Sequence, residues 1–374
     1  MHDYSTDPRT VMTLDAGGTN FVFSAMRANR PVVESFALPS NADHLERSLG
    51  TMVEGFRTVQ SRLPEKPAAI SFSFPAPTDY ANGIIISPQN LPAYRDAAVG
   101  PMLEDAFGLP VFINNDGDLF ACGEAASGFL PHVNGLLEKA GSPKRYRNLL
   151  GVTLGTGLGG GIVRDGRLFA GDNSTSGELW LLRHKLDKDT NAEDGASIRA
   201  VRRVYAQQAG IPMADAPEPR IICDIAEGRR PGHRPAAIEA FRRLGEIAGD
   251  AIAQATALVD GLVVIGGGIS GAHRQFLPAV IDEMNGTYLA PDGQRFHRLI
   301  PRAFNLEDPA QLDIFLKGQT RELAVPGSGR TVKFDALLRV GVGITRLGTS
   351  EAIAIGAYAF ALDRLDRTPP HQGS

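Results

Sequence analysis

Leu149-Leu150-Gly151-Val152-Thr153-Leu154-Gly155-Thr156-Gly157-Leu158-Gly159-Gly160-Gly161-Ile162 is the stretch on which the fold turns. A short apolar strand, Leu149–Leu154, runs into five glycines in seven residues. Glycine accepts positive φ and opens backbone N–H groups to a ligand, which suits a phosphate. The spacing of Gly155, Gly157 and Gly160 also matches a dinucleotide fingerprint, but that fingerprint must open a helix. Here Ile162–Phe169 follows, with Asp165-Gly166 as a hairpin turn signal between apolar runs. The glycines read as the turn of a phosphate-cradling β-hairpin, followed by another hairpin. The competing reading is a glycine-rich surface hairpin with no ligand.

Two further stretches favour the phosphate. Val11–Phe23 is again strand, glycine turn and strand, with Asp15 and Thr19 at the turn. Gly261–Gly271 is a buried strand run ending in Gly266, Gly267 and Gly268, with a helix expected after it. Three such turns spread along one chain point to one nucleotide held from several sides. The stretches at Val11 and Leu149 share a pattern that reads as a degenerate internal repeat, which predicts two related domains.

A chain of 374 residues fits two domains better than one. With 43% hydrophobic and 21% charged residues it has the composition of a globular protein with a sizeable core. A net charge of −4 gives no bulk attraction to nucleic acid or to a membrane surface, so neither partner is expected. Cys122 and Cys223 are the only cysteines and lie far apart, which fits a reducing cytosol and excludes a Cys-x-x-Cys metal site. The polar start, Met1–Thr10, carries no signal-peptide core, and no apolar run is long enough to cross a membrane. A cytoplasmic protein is expected, with a disordered tail at Thr368–Ser374.

Along the chain, Thr10–Arg27 reads as a hairpin and Val32–Leu38 as a third strand. Asp43–Leu63 has helical periodicity, with Leu45, Leu49, Met52, Val53 and Phe56 on one face. Strands are predicted at Ala68–Phe74, Ile84–Ile86 and Val111–Asn114, and helices at Met102–Phe107 and Leu119–Phe129. Pro131–Arg147 reads as a polar connection. Ser197–Ala209 and Pro235–Leu258 read as helices. Asn285–Gly348, rich in Arg, Pro and Gly, resists assignment apart from strands near Val332–Leu338. Ser350–Leu365 reads as a closing helix whose Ala352, Ala354, Gly356, Ala357 and Ala359 permit close packing on another element.

Asp15–Thr19, Leu154–Gly161 and Val264–Gly268 resemble the phosphate-1, phosphate-2 and adenosine motifs of the actin/hexokinase/Hsp70 ATPase superfamily. Within it the chain resembles the ROK family of bacterial sugar kinases and sugar-responsive repressors. Phe74-Pro75-Ala76-Pro77-Thr78-Asp79 is similar to that family's P-G-P-V-D turn, and Asn90-Leu91-Pro92 to its N-L-P-G-W segment. Asn115-Asp116 with Gly123-Glu124 is similar to N-D-x-N…G-E, and Gly177-Glu178 to the first half of G-E-I-G-H. Three departures stand out. Asn20 replaces the basic residue usual after D-x-G-G-T. Trp180-Leu181 stands where the histidine of G-E-I-G-H belongs. The zinc motif C-x-C-G-x-x-G-C is absent, although Glu193 and Ser197 match the glutamate and serine just beyond it.

The resemblance implies an α/β protein of two ribonuclease-H-like, actin/hexokinase-type domains with an interdomain cleft. The smaller domain is expected over residues 1–115 plus 352–374, and the larger over 116–351 with an unassigned insertion near 285–348. It implies ATP-dependent phosphorylation of a hexose, like a glucokinase or hexokinase. An N-acylhexosamine kinase and a sugar-binding protein without catalysis are the alternatives. A repressor is not expected, because about ten residues ahead of the first motif are too few for a winged helix.

Phosphoryl transfer to an alcohol needs a positioned hydroxyl, a base for its proton and charge stabilisation. Asp116, at the end of an apolar strand, is the candidate base, against a role as cap of the following helix. Asn90, Asn115, Glu178 and Glu193 join it as candidate sugar-binding residues, Asn115 against a turn role and the glutamates against solvated loop positions. The ATP set is Asp15, Gly17, Gly18, Thr19, Asn20, Gly155, Thr156, Gly157, Gly159, Gly160, Gly266, Gly267 and Gly268. Asp15 would hold Mg²⁺ through water, since Mg²⁺ keeps much of its hydration shell; an Asx-turn is the alternative. Trp180 is read as a sugar-stacking or a core residue, and the histidines, His184 among them, as surface or core. No structural zinc is expected, the Glu178–Glu193 loop being held by packing through Trp180 and Leu181–Leu182. A homodimer is expected.

Overall fold

The computed structural model describes residues 3–74, 78–86 and 92–367. The chain opens with β1 (Val11–Ala16), β2 (Asn20–Arg27) and β3 (Arg30–Pro39), then α1 (Leu45–Ser61) and β4 (Ala69–Ser73). The short β5 (Thr78–Asp79) and β6 (Ile84–Ile85) precede α2 (Val99–Phe107), β7 (Val111–Asn114), α3 (Asp116–Ala126) and α4 (Phe129–Lys139). Next come β8 (Leu149–Leu154), β9 (Leu158–Arg164), β10 (Arg167–Leu168), α5 (Ile198–Ala209), α6 (Pro219–Ala226) and α7 (Arg234–Val259). The last third holds β11 (Leu262–Gly266), α8 (His273–Met284), β12 (Thr287–Leu289), β13 (Arg295–His297), β14 (Arg302–Asn305) and α9 (Pro309–Lys317). It ends with β15 (Thr320–Ala324), β16 (Thr331–Asp335), β17 (Arg339–Ile344) and α10 (Thr349–Arg367).

These elements pack as two units. The first is Met1–Gly128 with Gly161–Gly177 and Leu347–Ser374; the second is Phe129–Gly160 with Glu178–Arg346. The first unit has a five-stranded sheet, β3-β2-β1-β4-β7, in which β1 pairs antiparallel with β2 and parallel with β4. One face is covered by α1, whose Met52, Phe56 and Val59 recur every three or four residues and are fully buried. Leu45, Leu49 and Val53 pack at the margin of that core. Phe56 meets Phe23 edge-on at 5.3 Å between ring centroids, and a side chain at Gly55 would collide with the Phe23 ring. The closing helix α10 packs on α3. A Cβ at Gly356 would strike the carbonyl of Leu119, and one at Gly123 the carbonyl of Ala352. The small residues of α10 thus have their partner, and the two backbones approach as only glycine allows.

In the second unit β8 turns into β9 across the glycine stretch, β8 runs parallel to β11, β11 to β17 and β17 to β14. A hairpin followed by parallel strands on the same edge repeats the plan of the first unit, as the repeated motifs predict. The long α7 buries small residues at Ala237, Ala240, Ala248, Ala251 and Ala255.

Three readings need correction, the first being the predicted helix Met102–Phe107, which begins three residues earlier, at Val99. The predicted helix Leu119–Phe129 begins three residues earlier and ends at Ala126. The predicted polar connection Pro131–Arg147 is a helix as far as Lys139: Pro131 lies in the first turn of α4, where its missing N–H costs nothing. The expected insertion resolves into β12 to β17 with α9. Strand β16 lies near the predicted Val332–Leu338, and the hairpins β12–β13 and β15–β16 stand on their own, each a two-stranded sheet.

Candidate active site

The first glycine turn follows β1. The amide of Gly17 donates to the carbonyls of Asp15 and Asn20, closing the turn so that a Cβ on Gly17 would stand 2.8 Å from the Asn20 oxygen. Behind it, the Ser40 hydroxyl donates to the Gly18 carbonyl at 2.6 Å and the Ser40 amide to Thr19 at 2.9 Å. That bracing leaves Asp15, Gly18, Thr19 and Asn20 facing solvent. A cavity of about 450 Å³ in the same unit reaches Asp15 and is lined by Thr13, Val22, Met26, Ser350 and Ile353.

Asp116 is the first residue of α3. Asn115 is the helix cap, its Oδ1 accepting from the Gly117 amide at 2.8 Å, and Asp116 Oδ1 accepts from the same amide at 2.8 Å. The capping role weighed against Asp116 therefore falls to Asn115. The Asp116 carboxyl keeps accessible surface, yet protein atoms crowd it. Desolvation pushes its pKa up, the Gly117 amide opposes, and the negative charge of Asp15 adds to the rise. Asp15 is itself raised by desolvation. Gly161, which belongs to the first unit, lies close against the start of α3, where a Cβ would collide with the Gly117 carbonyl.

In the second unit the Gly155–Gly160 turn and Glu193 are joined directly. Glu193 Oε2 accepts from the Leu158 amide at 3.1 Å, and a Cβ on Gly157 would run into the same carboxylate. The Ile198 amide donates to Gly155 at 2.8 Å, tying the turn to the start of α5, which Ser197 caps. Thr156 is exposed beside it. Glu178 is half-buried and accepts from the indole N–H of Trp180 through Oε2. Trp180 is thus neither a fully buried core residue nor free of polar contact. The expected packing through Leu181 does not occur, because Leu181 is 60% exposed; Leu179 is the buried residue there.

After β11, Gly267 has φ +89 and a Cβ there would collide with the Leu154 backbone. Only glycine fits. Gly268 is exposed and open. It borders a cavity of about 430 Å³ that Arg220, Cys223, Asp224 and Arg229 close from the α6 side. Reading the sequence missed these four. Their signal was Glu218-Pro219, a proline at the first position of a short helix. Asn90, and the Pro75-Ala76-Pro77 and Asn90-Leu91 segments, lie outside the described residues, as does the tail from Thr368. Among the described residues no group of three or more His, Cys, Asp or Glu is placed to hold a metal ion, and no helix is long and apolar enough to cross a membrane.

Two sheets, each opened by a glycine-turned hairpin and extended by parallel strands, with a carboxylate at a strand end, define the actin/hexokinase type of fold. The chain belongs to the ROK family, whose profile matches residues 11–310. A glucokinase from Parabacteroides distasonis is 51% identical, with a TM-score of 0.89 over 96% of this chain and 99% of that one. A ROK family glucokinase from Streptomyces griseus, solved with glucose and AMPPNP, shares the fold at 18% identity and a TM-score of 0.59 over 93% of this chain and 98% of that one. The N-acetyl-D-glucosamine kinase of Vibrio parahaemolyticus is 27% identical over 274 residues, 68% of this chain and 83% of that one. The match to the Photobacterium profundum enzyme of the same name spans about half of that protein, 52%, at 28% identity.

Proposed function

We propose that this protein transfers the γ-phosphoryl group of ATP to a hydroxyl of a hexose. Asp116 accepts the hydroxyl proton, the oxygen forms its bond to the γ-phosphorus, and ADP leaves. The observation that carries this reading is the Asp116 carboxyl, which accepts from the Gly117 amide at the first residue of α3 and is raised in pKa by desolvation, with the charge of Asp15 adding to the rise. A base must reach the proton first and have a suitable pKa second. The glycine turns at Gly17–Asn20 and Gly155–Gly160 would hold phosphates, and Gly266–Gly268 with the α6 cavity would hold the nucleoside. Mg²⁺ would supply charge neutralisation at the β- and γ-phosphates, with Asp15 holding it through water. Glu178 and Glu193, with Asn90 and Asn115, would bind sugar hydroxyls.

Glucose is the favoured substrate, because the 51% identical relative is named a glucokinase. An N-acylhexosamine is the second reading, because several relatives at 26–28% identity are N-acetyl-D-glucosamine kinases. A coupled assay over glucose, mannose, N-acetylglucosamine and N-acetylmannosamine separates the two. Glu178→Ala is expected to raise KM for sugar more than for ATP, and an equal rise in both would remove Glu178 from the sugar site.

We further propose a homodimer, which the two free-standing hairpins support. On β15–β16 the pairs Leu323–Val332 and Arg321–Phe334 share one face, and Leu323, Val332 and Phe334 are all exposed. On β12–β13 Tyr288 and Phe296 face each other across the strands, also exposed. Apolar residues on an exposed two-stranded sheet are explained by a second copy covering them.

A further inference from the structure

The loop between Glu178 and Glu193 is organised around one imidazole. His184 is buried, at 9% exposure. Its Nδ1 accepts from two backbone amides, Leu186 at 3.2 Å and Asp187 at 3.0 Å. Its own amide donates to the Thr190 carbonyl at 3.0 Å, and the Ala192 amide donates to Leu182 at 2.7 Å. Arg183 and Asn191 bridge across the same turn. The far end of the knot is Glu193. Asn191 caps the short 3-10 turn that carries Glu193, accepting from the Asp194 amide at 3.2 Å. His184 also lies against Gly195, where any Cβ would collide with Nε2. The next residue, Lys185, pins the loop to α7 and α8 through Glu246 at 2.7 Å and Glu283 at 2.6 Å.

A ring nitrogen that accepts two N–H bonds carries no proton, so the proton of neutral His184 sits on Nε2. Protonating Nδ1 would turn two attractions into two repulsions. Burial depresses the pKa of His184. Asp187 of its own loop, Asp194 of the 3-10 turn and Asp250 of α7 pull it up, and Arg203 of α5 pushes it down. The sign follows. A depressed pKa means that the folded loop binds fewer protons than the unfolded chain just below the ordinary histidine pKa, so loop stability is lost as pH falls through that window.

We propose that His184 is a positioning residue for Glu193: its Nδ1 gathers the 184–191 turn into a fixed shape and so sets where the Glu193 carboxylate is presented to sugar. This rests on the sugar-kinase reading and deepens it, because it gives the pocket another, pH-sensitive determinant that does not touch substrate. It also accounts for Gly195, which leaves room for the ring two residues past Glu193.

The test compares His184→Asn, His184→Gln and His184→Ala with the native protein. Asn places an acceptor oxygen where Nδ1 stands; Gln places it one bond further out; Ala removes it. The expected result is that Ala and Gln raise KM for sugar by about tenfold or more while KM for ATP moves by less than about twofold, and that Asn restores most of the sugar affinity. KM for sugar should also rise below about pH 6.5 in the native protein and not in the Asn variant. Nitrogen-15 NMR of the native imidazole should show the Nε2–H tautomer with Nδ1 unprotonated at neutral pH. A Nδ1–H tautomer, an unchanged sugar KM in the Ala variant, or an Asn variant as impaired as Ala would each overturn the proposal. Should the Ala variant fail to fold, the Asn–Gln contrast and the tautomer decide. A native protein that phosphorylates no sugar would overturn the kinase reading instead, and the tautomer would still judge the knot on its own.

Discussion

At Asp116 the requirements of chemistry and of stability pull apart. The carboxyl is crowded, and Asp15 repels its charged form, so the folded protein holds the Asp116 proton to higher pH than the unfolded chain does. Stability is therefore lost as pH rises through the raised pKa. An amide carries no charge to desolvate. Asp116→Asn is predicted to melt at a higher temperature than the native protein at pH 8, with the difference vanishing toward acid pH. Melts recorded from pH 4 to pH 8 check this, and a variant less stable at every pH would contradict it. Gly267 is the opposite case, a residue whose identity serves backbone geometry alone. With φ +89 and the Leu154 backbone against its α-carbon, Gly267→Ala should destabilise by more than about 1 kcal/mol, measured by denaturant titration. Both residues were legible in sequence, Asp116 as a carboxylate at a strand end and Gly267 as the middle of a glycine run. The tie between Glu193 and the Leu158 amide was not, because no local pattern announces a bond across 35 residues.

Among elements, the strands and helices with strong periodicity were readable, and those that broke a simple rule were not. The burial of Met52 and Phe56 in α1 follows from their spacing. The small-residue face of α10 announced close packing, and only the structure supplies α3 as its partner. Helix α4 was hidden by Pro131 and α6 by its eight-residue length, although proline in a first turn is compatible with both. The hairpins β12–β13 and β15–β16 were unreadable because their alternation puts apolar residues on an exposed face, the reverse of the usual pattern. If another copy of the chain covers that face, Leu323→Glu together with Phe334→Glu should yield a monomer by light scattering while the far-ultraviolet circular dichroism stays native. A native protein that is already monomeric at micromolar concentration would remove the dimer.

For the molecule as a whole, the repeated plan of hairpin and parallel strands was visible as two similar glycine motifs, and the third motif at Gly266–Gly268 completed the superfamily's set. The 178–193 loop is held by His184, Lys185 and backbone hydrogen bonds, so we expect no structural zinc: a zinc chelator should leave the melting temperature unchanged, and metal analysis of untagged protein should find less than stoichiometric zinc. A chelator that unfolds the protein would refute this. Sugar and a non-hydrolysable ATP analogue, binding the native state only, should each raise the melting temperature, since a ligand at about 100 times its Kd adds about 2.7 kcal/mol.

If Asp116 takes the proton of a hexose hydroxyl as ATP phosphorylates it, removing its basicity must slow turnover without emptying the sugar site. Glucose-dependent ADP formation by native protein and by Asp116→Asn, with glucose binding to both followed by calorimetry, reads this out. The native protein should turn over, the variant should lose about 10²–10⁴-fold in kcat, and glucose affinity should change little. A variant that binds glucose and keeps near-native kcat would rule Asp116 out as the base.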